Sequence, residues 1–483
     1  MLLLLGAVCT LPGTWSLPLI DRDEPRFAEA SREMMERGDY IVPYFNNAYR
    51  FDKPPFIYWL QVGSYRLLGV HDFSARLPSV LCTLATALLI YGFGTRLHPE
   101  RAAEERQRAG FLAGVIYVTA LQVMIHARAS VADAAMVLGV TAMMWAGFEV
   151  LRWIDKNPRR SGVLSPWWWL LALALALGFL AKGPVAWLPL VALGIAAWQN
   201  GGWQSFRRSG LFGALLVGAA ISACWGVPAL LETNGEFFRI GIGKHVVERS
   251  VSAMEGHGAS NILIYLLTIP FYLVMVVVFF LPWTRELPAL WKSRTWRGSD
   301  GLLWWWIALV FVVFTLIKTK LPHYILPAYP ALALLAGARF ALEPALFARR
   351  WRLCATVAVV FSLLVGFVAS PIAERVFLAK KIADTIGPRI ASNANFGSLH
   401  YGEPSLVWYL RRSTHGWMLP LFPDFLETPG RFAIVRKSDF DSVFPNGTGD
   451  AELIEITGFN PAKFRFMTVV VVLPESAKKA SVQ

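Results

Sequence analysis

The sequence has little charge and few cysteines for its length of 483 residues. Only 16% of its residues are charged, against about 25% in an average soluble domain. With 55% hydrophobic residues and a mean hydropathy of +0.46, this composition excludes an ordinary soluble protein. The four cysteines lie in four different apolar segments and show no Cys-x-x-Cys or Cys/His spacing. They therefore indicate neither a disulfide framework nor a thiolate metal site.

Internal repeats and low-complexity tracts are also missing from the sequence. Many transporter folds consist of two similar halves, so the missing repeat argues mildly against such a fold. What the sequence does contain is apolar blocks of about 15 to 22 residues, close to the roughly 20 that cross a bilayer as a helix. We therefore predict a mainly α-helical, polytopic membrane protein with about eleven spans. The predicted spans are 1–17, 76–95, 110–126, 131–150, 166–181, 184–199, 210–230, 261–281, 302–318, 322–340 and 353–372.

The formal net charge of +13 is concentrated in alternate loops, among them "GTRLHPERAAEERQRAG", "LRWIDKNPRRSG" and "FARRWR". By the positive-inside rule these loops face the cytoplasm, so the charge sets topology and does not indicate nucleic-acid binding. A signal peptide is the alternative interpretation of the first span. No small-residue cleavage site precedes "DRDEPRF", and we interpret this segment as a helix.

The long polar segments 18–75, 231–260 and 373–483 then share the non-cytoplasmic side. In the first segment, "DEPRFAEASREMMER" predicts an amphipathic helix, with Phe27, Ala30 and Met34 on one face and Arg26, Glu29, Glu33 and Glu36 on another. "FIYWLQVGSYRLLG" predicts a second helix, whose aromatic residues are typical of the headgroup level of a membrane. The region 18–75 therefore forms a loop with two interfacial helices.

The sequence pattern of the tail 373–483 differs from that of the apolar segments before it. "RFAIVRK" and "RFMTVVVVLP" predict strands, and "PSLVWYLRR" predicts a helix. We predict a membrane domain over 1–372 and a small α/β extracytoplasmic domain over 373–483.

Four groups of ionisable residues fall at outer span ends or in outer loops, where they are expected to converge. These are Asp23, Glu24 and Arg26; Asp52 and Lys53; Lys244, His245, Glu248, Arg249 and His257; and Lys318, Lys320, His323 and Tyr324. Charged side chains at membrane depth are costly unless they line a wet cavity or form ion pairs, which adds Arg128, Asp133 and Lys182 as candidates. The non-functional alternative is that such residues only mark the membrane–water interface.

These residue types fit one chemistry in particular. A carboxylate beside several cations can accept a proton from an acceptor group while Arg and Lys stabilise a departing lipid phosphate. An acid and a histidine, such as Asp52 and His245, could also hold a divalent metal (Zn²⁺ or Mg²⁺), although two ligands are a weak indication.

Several motifs resemble a known family of membrane enzymes. They are "DRDEPRFAEASREMMERGDYIVPYFNNAYRFDKPPFIYWL", "GFLAKGPVAWLPL", "KHVVERS", "IKTKLPHYILPAYPALAL" and "HYGEPSLVWYLRR". Together they resemble the bacterial GT-C glycosyltransferases that include the lipid A aminoarabinose transferases and, more distantly, the protein O-mannosyltransferases. The resemblance implies a GT-C fold and the transfer of a sugar, with inversion, from a polyprenyl phosphate at the outer face of the inner membrane.

The resemblance also implies roles for single residues. Asp23 matches the catalytic carboxylate, while Arg26, Lys53, Arg249 and Tyr324 match groups that contact the donor phosphate. Asp52 and His245 match a metal pair. Further site candidates in shared motifs or in the same loops are Glu24, Asp133, Lys182, Lys320 and His257.

This chain departs from the family pattern in two respects: Asp52 stands where the aminoarabinose transferases usually carry Glu, and the chain is shorter, with fewer spans. Arg50 also stands where an aromatic residue near the sugar is expected. The donor sugar can therefore differ from aminoarabinose.

The expected function is an inner-membrane glycosyltransferase whose active site and C-terminal domain face the periplasm. Its expected partners are membrane lipids, a polyprenyl-phosphate-linked sugar as donor, and lipid A or another glycan as acceptor, without nucleic acid. The alternatives are a flippase for lipid-linked sugars and the same chemistry on a protein hydroxyl. A flippase usually places its ionisable residues near mid-membrane on broken helices, whereas here they cluster at the outer span ends.

Overall fold

Long apolar helices make up most of the chain in the computed structural model, which describes residues 1–237, 239–241, 262–413, 418–422 and 424–479. The helices are α1 (Leu2–Thr10), α2 (Asp23–Arg37), α3 (Phe56–Leu68), α4 (Asp72–Leu97), α5 (Ala103–Thr119), α6 (Leu121–Ala127), α7 (Asp133–Lys156), α8 (Pro166–Lys182), α9 (Leu190–Ser209), α10 (Leu211–Glu232), α11 (Ile262–Leu267), α12 (Phe271–Phe279), α13 (Leu287–Lys292), α14 (Gly298–Leu316), α15 (Tyr329–Leu342), α16 (Pro344–Leu364), α17 (Ser370–Val376), α18 (Leu378–Ile386), α19 (Pro404–Ser413) and α20 (Phe440–Val443). The predicted mainly helical class is confirmed.

Seven segments of the described chain are long and apolar enough to cross a membrane. They are Asp72–Leu97, Asp133–Lys156, Pro166–Trp187, Leu211–Glu232, Gly298–Leu316, Pro322–Leu342 and Pro344–Val376. Two bent pairs raise this number to nine if each pair counts as one span: Ala103–Thr119 with Leu121–Ala127, bent by 66°, and Tyr265–Phe279 with Thr284–Lys292, bent by 120°. The chain is therefore a multi-pass membrane protein, and the number eleven stays a prediction.

Two predicted spans differ from the helices observed in the same regions. In 1–17 the helix α1 has nine residues, about 14 Å at 1.5 Å per residue, which is short of the roughly 30 Å of a bilayer core. The predicted span 184–199 is divided between a 3₁₀ helix at Gly183–Trp187 and helix α9. Helix α9 is itself broken at Gly201 and Gly202, whose backbone angles are not helical.

Helices α7 and α8 lie unusually close together because both carry glycine at their contact. A Cβ atom built on Gly139 would lie 2.8 Å from both the Cα and the N atoms of Gly178. Only the absence of side chains allows this approach. The contact matters for the site because α7 begins at Asp133 and α8 ends at Lys182.

The two predicted outer-loop helices are confirmed as α2 and α3, and a short hairpin pairs β1 (Tyr44–Phe45) with β2 (Ala48–Tyr49) between them. Apolar side chains of α2 pack against α3 in one buried cluster that includes Phe27, Met34, Ile57 and Val62. This packing fixes the position of the first turn of α2, which carries Asp23 and Arg26.

The C-terminal region forms a mixed five-stranded sheet in the order β4-β3-β5-β7-β6. Its strands are β3 (Asn395–Leu399), β4 (Met418–Leu419), β5 (Arg431–Arg436), β6 (Glu452–Asn460) and β7 (Arg465–Leu473). Strands β3, β4 and β5 are parallel, whereas β7 is antiparallel to β5 and β6. The predicted strands β5 and β7 and the predicted helix α19 are confirmed. The domain boundary at residue 372 stays a prediction.

Candidate active site

The first turn of α2 faces a cavity of about 550 Å³, which we call the polar cavity. Four cations and three carboxylates line it, namely Arg26, Arg50, Lys53, Lys182, Asp23, Asp52 and Asp133, together with His126, His323 and Tyr324. The structure therefore brings together most of the site residues that the sequence suggested. They come from five separate parts of the chain.

Asp23 and Arg26 differ from the other ionisable residues of this lining. Asp23 is exposed and Arg26 is half-buried. Within the described residues, neither side chain forms a hydrogen bond or an ion pair, although Arg50 and Tyr58 lie within electrostatic reach of Asp23. Both side chains are thus available to a molecule in the cavity.

The loop before α3 adds a carboxylate between two cations. Asp52 accepts hydrogen bonds of 2.9 Å from the Arg50 guanidinium and from Lys53 Nζ. Arg50 also donates to the Tyr58 hydroxyl at 3.1 Å, and its guanidinium lies 5.0 Å from the centre of the Phe27 ring. Burial raises the pKa of Tyr58 to about 12, so this phenol stays protonated. Within the described residues, two cations, Arg50 and Lys53, thus face the single charge of Asp52.

A second ion pair, between Lys182 and Asp133, also lies in the lining of the polar cavity. Lys182 Nζ donates to Asp133 at 2.5 Å and lies 5.8 Å from the centre of the Tyr324 ring. His323 contacts Tyr324 at 5.1 Å between ring centres, and His126 contacts His323 at 5.4 Å. Helices α6, α7 and α8 and the 3₁₀ helix Pro322–Ala328 thus meet at one polar point inside an apolar bundle.

A second cavity, of about 260 Å³, adjoins the first and is mostly apolar. Its walls include Met136, Phe179, Val185, Trp225, Leu230, Phe237, Phe314, Ile317 and Pro327. Six residues line both cavities: Phe51, Asp52, Lys53, Lys182, His323 and Tyr324. The cationic groups Lys53 and Lys182 therefore stand where an apolar compartment opens into a polar one.

Glu24, a neighbour of Asp23 in sequence, does not line either cavity. It is buried and accepts hydrogen bonds from Arg76 at 2.8 and 2.9 Å, from the Ile20 N–H at 2.8 Å and from the Ser130 N–H at 2.7 Å. These contacts join the start of α2 to α4 and to the segment before α7. Its role in the structure is to hold these segments together.

Lys320 and Arg128 also lie outside the two linings, because each binds the backbone. Lys320 Nζ donates to the carbonyl groups of Phe314, at 3.0 Å, Thr315 and Ile317, at the end of α14. Buried Arg128 donates to the carbonyl groups of Pro12 and Met124, at 3.0 and 2.6 Å, and to the Ser362 hydroxyl.

The predicted Arg249, His257 and His245 lie outside the described residues. Among the described residues, no group of three or more His, Cys, Asp or Glu side chains could hold a metal. Within the described part of the chain both oxygens of Asp52 face cations, Arg50 and Lys53, and its predicted metal partner His245 lies outside that part. The metal therefore stays a prediction that contributes nothing to the chemistry derived below.

The sequence did not identify His126 as a site residue, and it identified Arg50 only as a departure from the family pattern near the sugar. His126 is an ionisable residue inside the apolar run "LQVMIHA", and that position was the signal that could have identified it.

Several known proteins are similar to this chain. A model of the dolichyl-phosphate-mannose-protein mannosyltransferase family matches residues 52–227. An undecaprenyl phosphate-α-4-amino-4-deoxy-L-arabinose arabinosyl transferase of Pectobacterium atrosepticum is 32% identical over 367 residues, which are 74% of this chain and 61% of that protein. The enzyme of the same name from Edwardsiella ictaluri is 31% identical, over 69% of this chain and 57% of that protein. The chain thus spans about three fifths of the length of these relatives.

The fold is similar to that of a solved structure over nearly its whole length. The crystal structure of ArnT from Cupriavidus metallidurans bound to undecaprenyl phosphate matches with a TM-score of 0.77 at 19% identity, covering 99% of this chain and 98% of that one. At this identity the likeness shows the fold, which is the GT-C architecture that the sequence motifs predicted.

Proposed function

Because the chain belongs to the GT-C family of polytopic membrane glycosyltransferases that includes the aminoarabinose transferases, we propose that it transfers a sugar from undecaprenyl phosphate to lipid A or another envelope glycolipid. The observation that carries the proposal is the junction of the two cavities. An apolar compartment meets a polar one at Lys53, Lys182 and Tyr324. A donor with a long apolar tail, a phosphate and a sugar has this same order of chemical parts.

In this proposal the prenyl chain occupies the apolar cavity and the sugar occupies the polar cavity. The phosphate lies at the junction, where Lys53 and Tyr324 contact it and Arg26 approaches from α2. Arg can bind a phosphate with two parallel hydrogen bonds, while Lys acts as a point charge. A predicted contact from Arg249 would add to this set.

The reaction is a single displacement at the anomeric carbon. The acceptor oxygen forms a new bond to this carbon, and the bond from the carbon to the phosphate oxygen breaks. Asp23 takes the proton of the acceptor group as general base. The leaving undecaprenyl phosphate gains negative charge, which the cations at the junction stabilise. One displacement inverts the configuration at the anomeric carbon.

We further propose that the site, the loop 18–75 and the C-terminal region face the periplasm. The basic loops between the predicted spans support this orientation, because they lie on the opposite side of the membrane. The aminoarabinose transferases are named for undecaprenyl-phosphate donors, which supports the same choice of carrier.

Substitution Asp23→Asn tests the proposal. We expect kcat to fall by roughly 10² to 10⁴-fold, because the amide cannot accept the proton. The KM for the donor should change little, since Asn has the size of Asp. The measurement follows a radiolabelled sugar from an undecaprenyl-phosphate donor into lipid A, together with release of free undecaprenyl phosphate.

The control variant is Glu36→Gln, which removes a carboxylate of the same helix that pairs with Arg32 and does not line the polar cavity. It should keep the rate of the unmodified protein. An inserted Asp23→Asn protein with the native rate would exclude Asp23 as the base. A flippase would move the donor without releasing free undecaprenyl phosphate.

Lipid A itself reports which sugar is transferred. Mass spectrometry of lipid A from cells with and without the gene should show one missing hexose, hexosamine or aminopentose. Identical lipid A in both strains would contradict lipid A as the acceptor.

A further inference from the structure

The turn between β6 and β7 presents an aromatic cluster to the outside of the protein. Phe464 is 85% exposed and Phe466 is 66% exposed. Their rings lie 5.5 and 5.4 Å from that of half-buried Phe459. We call Phe459, Phe464 and Phe466 the aromatic tip. Large, clustered apolar side chains in such a position indicate an interaction surface.

The aromatic tip lies where the chain leaves its last membrane span. This span ends at Val376, and the next residue, Phe377, forms a bridge with Phe459. Strand β6 approaches this point so closely that a Cβ atom on Gly458 would lie 2.8 Å from the Val376 carbonyl oxygen and 2.8 Å from the Leu378 Cα. The strand is thus packed directly on the end of the span.

Strand β6 also runs back toward the membrane. At its start, Glu452 pairs with Arg389, which lies beyond the end of α18. At its end, Phe459 meets Phe377, which precedes α18. The seven steps along the strand from Glu452 to Phe459 span about 23 Å at about 3.3 Å per residue. The turn that follows therefore lies at the level of the span end, on the side nearest the membrane.

Hydrogen bonds and a left-handed residue define the conformation of the turn that carries Phe464. The Asn460 side chain accepts hydrogen bonds from the N–H groups of Ala462 and Lys463, at 2.9 and 3.2 Å. Phe464 has φ of 49°, a left-handed conformation that is unfavourable for a bulky residue. Such backbone conformations persist where the surrounding structure fixes them, and they cluster at functional sites.

Two exposed cations flank the ring in sequence, Lys463 and Arg465. Aromatic rings together with Lys and Arg are typical of segments at the headgroup level, where the rings enter the acyl boundary and the cations meet lipid phosphates. The charge and the position both favour a lipid surface over a protein partner.

We propose that the aromatic tip inserts into the headgroup region of the bilayer beside the last span, with Lys463 and Arg465 bound to lipid phosphates. This contact anchors the β6–β7 turn of the C-terminal sheet to the membrane. Helix α19 of the same region is held by α2 through Arg411. The proposal does not depend on sugar transfer.

Photo-cross-linking tests this proposal in the full chain. A benzoyl-phenylalanine replaces Phe464, and the protein is placed in nanodiscs of phosphatidylethanolamine and phosphatidylglycerol. Since the Phe464 side chain is almost fully exposed, the change should not disturb the core. We expect irradiation to yield phospholipid adducts, detected by mass spectrometry.

The matched control carries the same group at Leu453, an apolar residue that is 49% exposed at the far end of β6. We expect several-fold fewer lipid adducts there. Equal yields at the two positions, no lipid adducts at 464, or protein adducts in their place in native membranes would overturn the proposal. If the 464 variant does not fold, the same comparison is made with position 466.

Discussion

Asp21 shows how one carboxyl can link the site to the C-terminal region. Its two oxygens accept hydrogen bonds from the N–H group of Ser405, at 2.9 Å, and from the Ser405 hydroxyl. The pKa of Asp21 is raised to about 7, mainly by burial and to a smaller extent by Glu403, against the lowering effects of Ser405 and Arg26. Asp21 thus caps helix α19 only two residues before the proposed base.

The raised pKa of Asp21 predicts how stability depends on pH. The unfolded carboxyl has a pKa of about 3.9, so between roughly pH 4 and 7 the folded protein keeps a proton that the unfolded chain has lost. Folding is therefore favoured at low pH, and this contribution disappears as the pH rises through 7. In the variant Asp21→Asn the side chain at position 21 is neutral at every pH. The melting temperature of this variant should therefore exceed that of the unmodified protein by a difference that grows from pH 5 to pH 8.

Thermal unfolding in detergent at pH 5, 6, 7 and 8 measures this difference. The control is Asp384→Asn, which removes an exposed carboxyl that pairs with Lys380 on the surface of α18. Its curve should run parallel to that of the unmodified protein. A parallel curve for Asp21→Asn as well would show that Asp21 is not the group that titrates.

Helix α2 is buried on two faces. Its apolar face packs on α3, as the sequence predicts. The charged face was expected at a membrane surface, but Glu29 and Glu33 are buried. They pair with Arg411 of α19, and Glu29 also pairs with Arg32. The charge pattern on α2 is thus a docking surface for the C-terminal sheet and its helices.

Arg411→Ala should destabilise the protein strongly. The substitution removes the cation that Glu29 and Glu33 share in a buried place, and breaking a buried pair completely costs about 3 to 5 kcal/mol. Because Arg32 still pairs with Glu29 and Arg37 with Glu33, we expect a loss at or below the lower end of this range. We expect a lower melting temperature and faster proteolysis of the segment after α19.

The control for Arg411→Ala is Lys437→Ala in the same C-terminal region, which removes an exposed ion pair with Glu455. Exposed pairs contribute little to stability, so the melting temperature should be unchanged. Equal effects of both substitutions would mean that the pairing of α2 with α19 does not stabilise the fold.

The membrane bundle positions the site through the packing of its helices. Gly139 and Gly178 bring α7 and α8 into contact, and Asp133 and Lys182 form their 2.5 Å ion pair at one end of the same two helices. Gly139 is six residues from Asp133, about 9 Å along the helix axis. The distance between the helices therefore sets the distance between these two side chains.

Gly139→Ala should reduce both stability and activity. The new methyl group would overlap the backbone of α8, and overpacking of this kind costs about 1 to 3 kcal/mol. The helices must separate, which loosens the Asp133–Lys182 pair. Melting temperature and sugar transfer are measured together, and Gly63→Ala serves as control because its Cβ would meet nothing within 4 Å. If Gly139→Ala had the same activity and stability as Gly63→Ala, the spacing of α7 and α8 would not control the Asp133–Lys182 pair.

Much of the local structure follows from the sequence alone. Period and composition predicted α2, α3, α19, β5 and β7, since each has an apolar face or a continuous apolar run of its own. The membrane class followed from the length of the apolar blocks. Motif spacing identified the family and placed Asp23, Lys53 and Tyr324 as site candidates. All three line the cavities.

Only the tertiary structure decided which ionisable residues share the site. Asp23 and Glu24 are equivalent by composition, but successive residues on a helix point about 100° apart, so one faces the polar cavity and the other binds Arg76. His126 joins the site because α6 bends away from α5. Hydropathy identifies an apolar run but does not show where its helix bends. The helical period identifies a polar face but does not show which segment packs on that face. Both depend on contacts between segments that are distant in sequence.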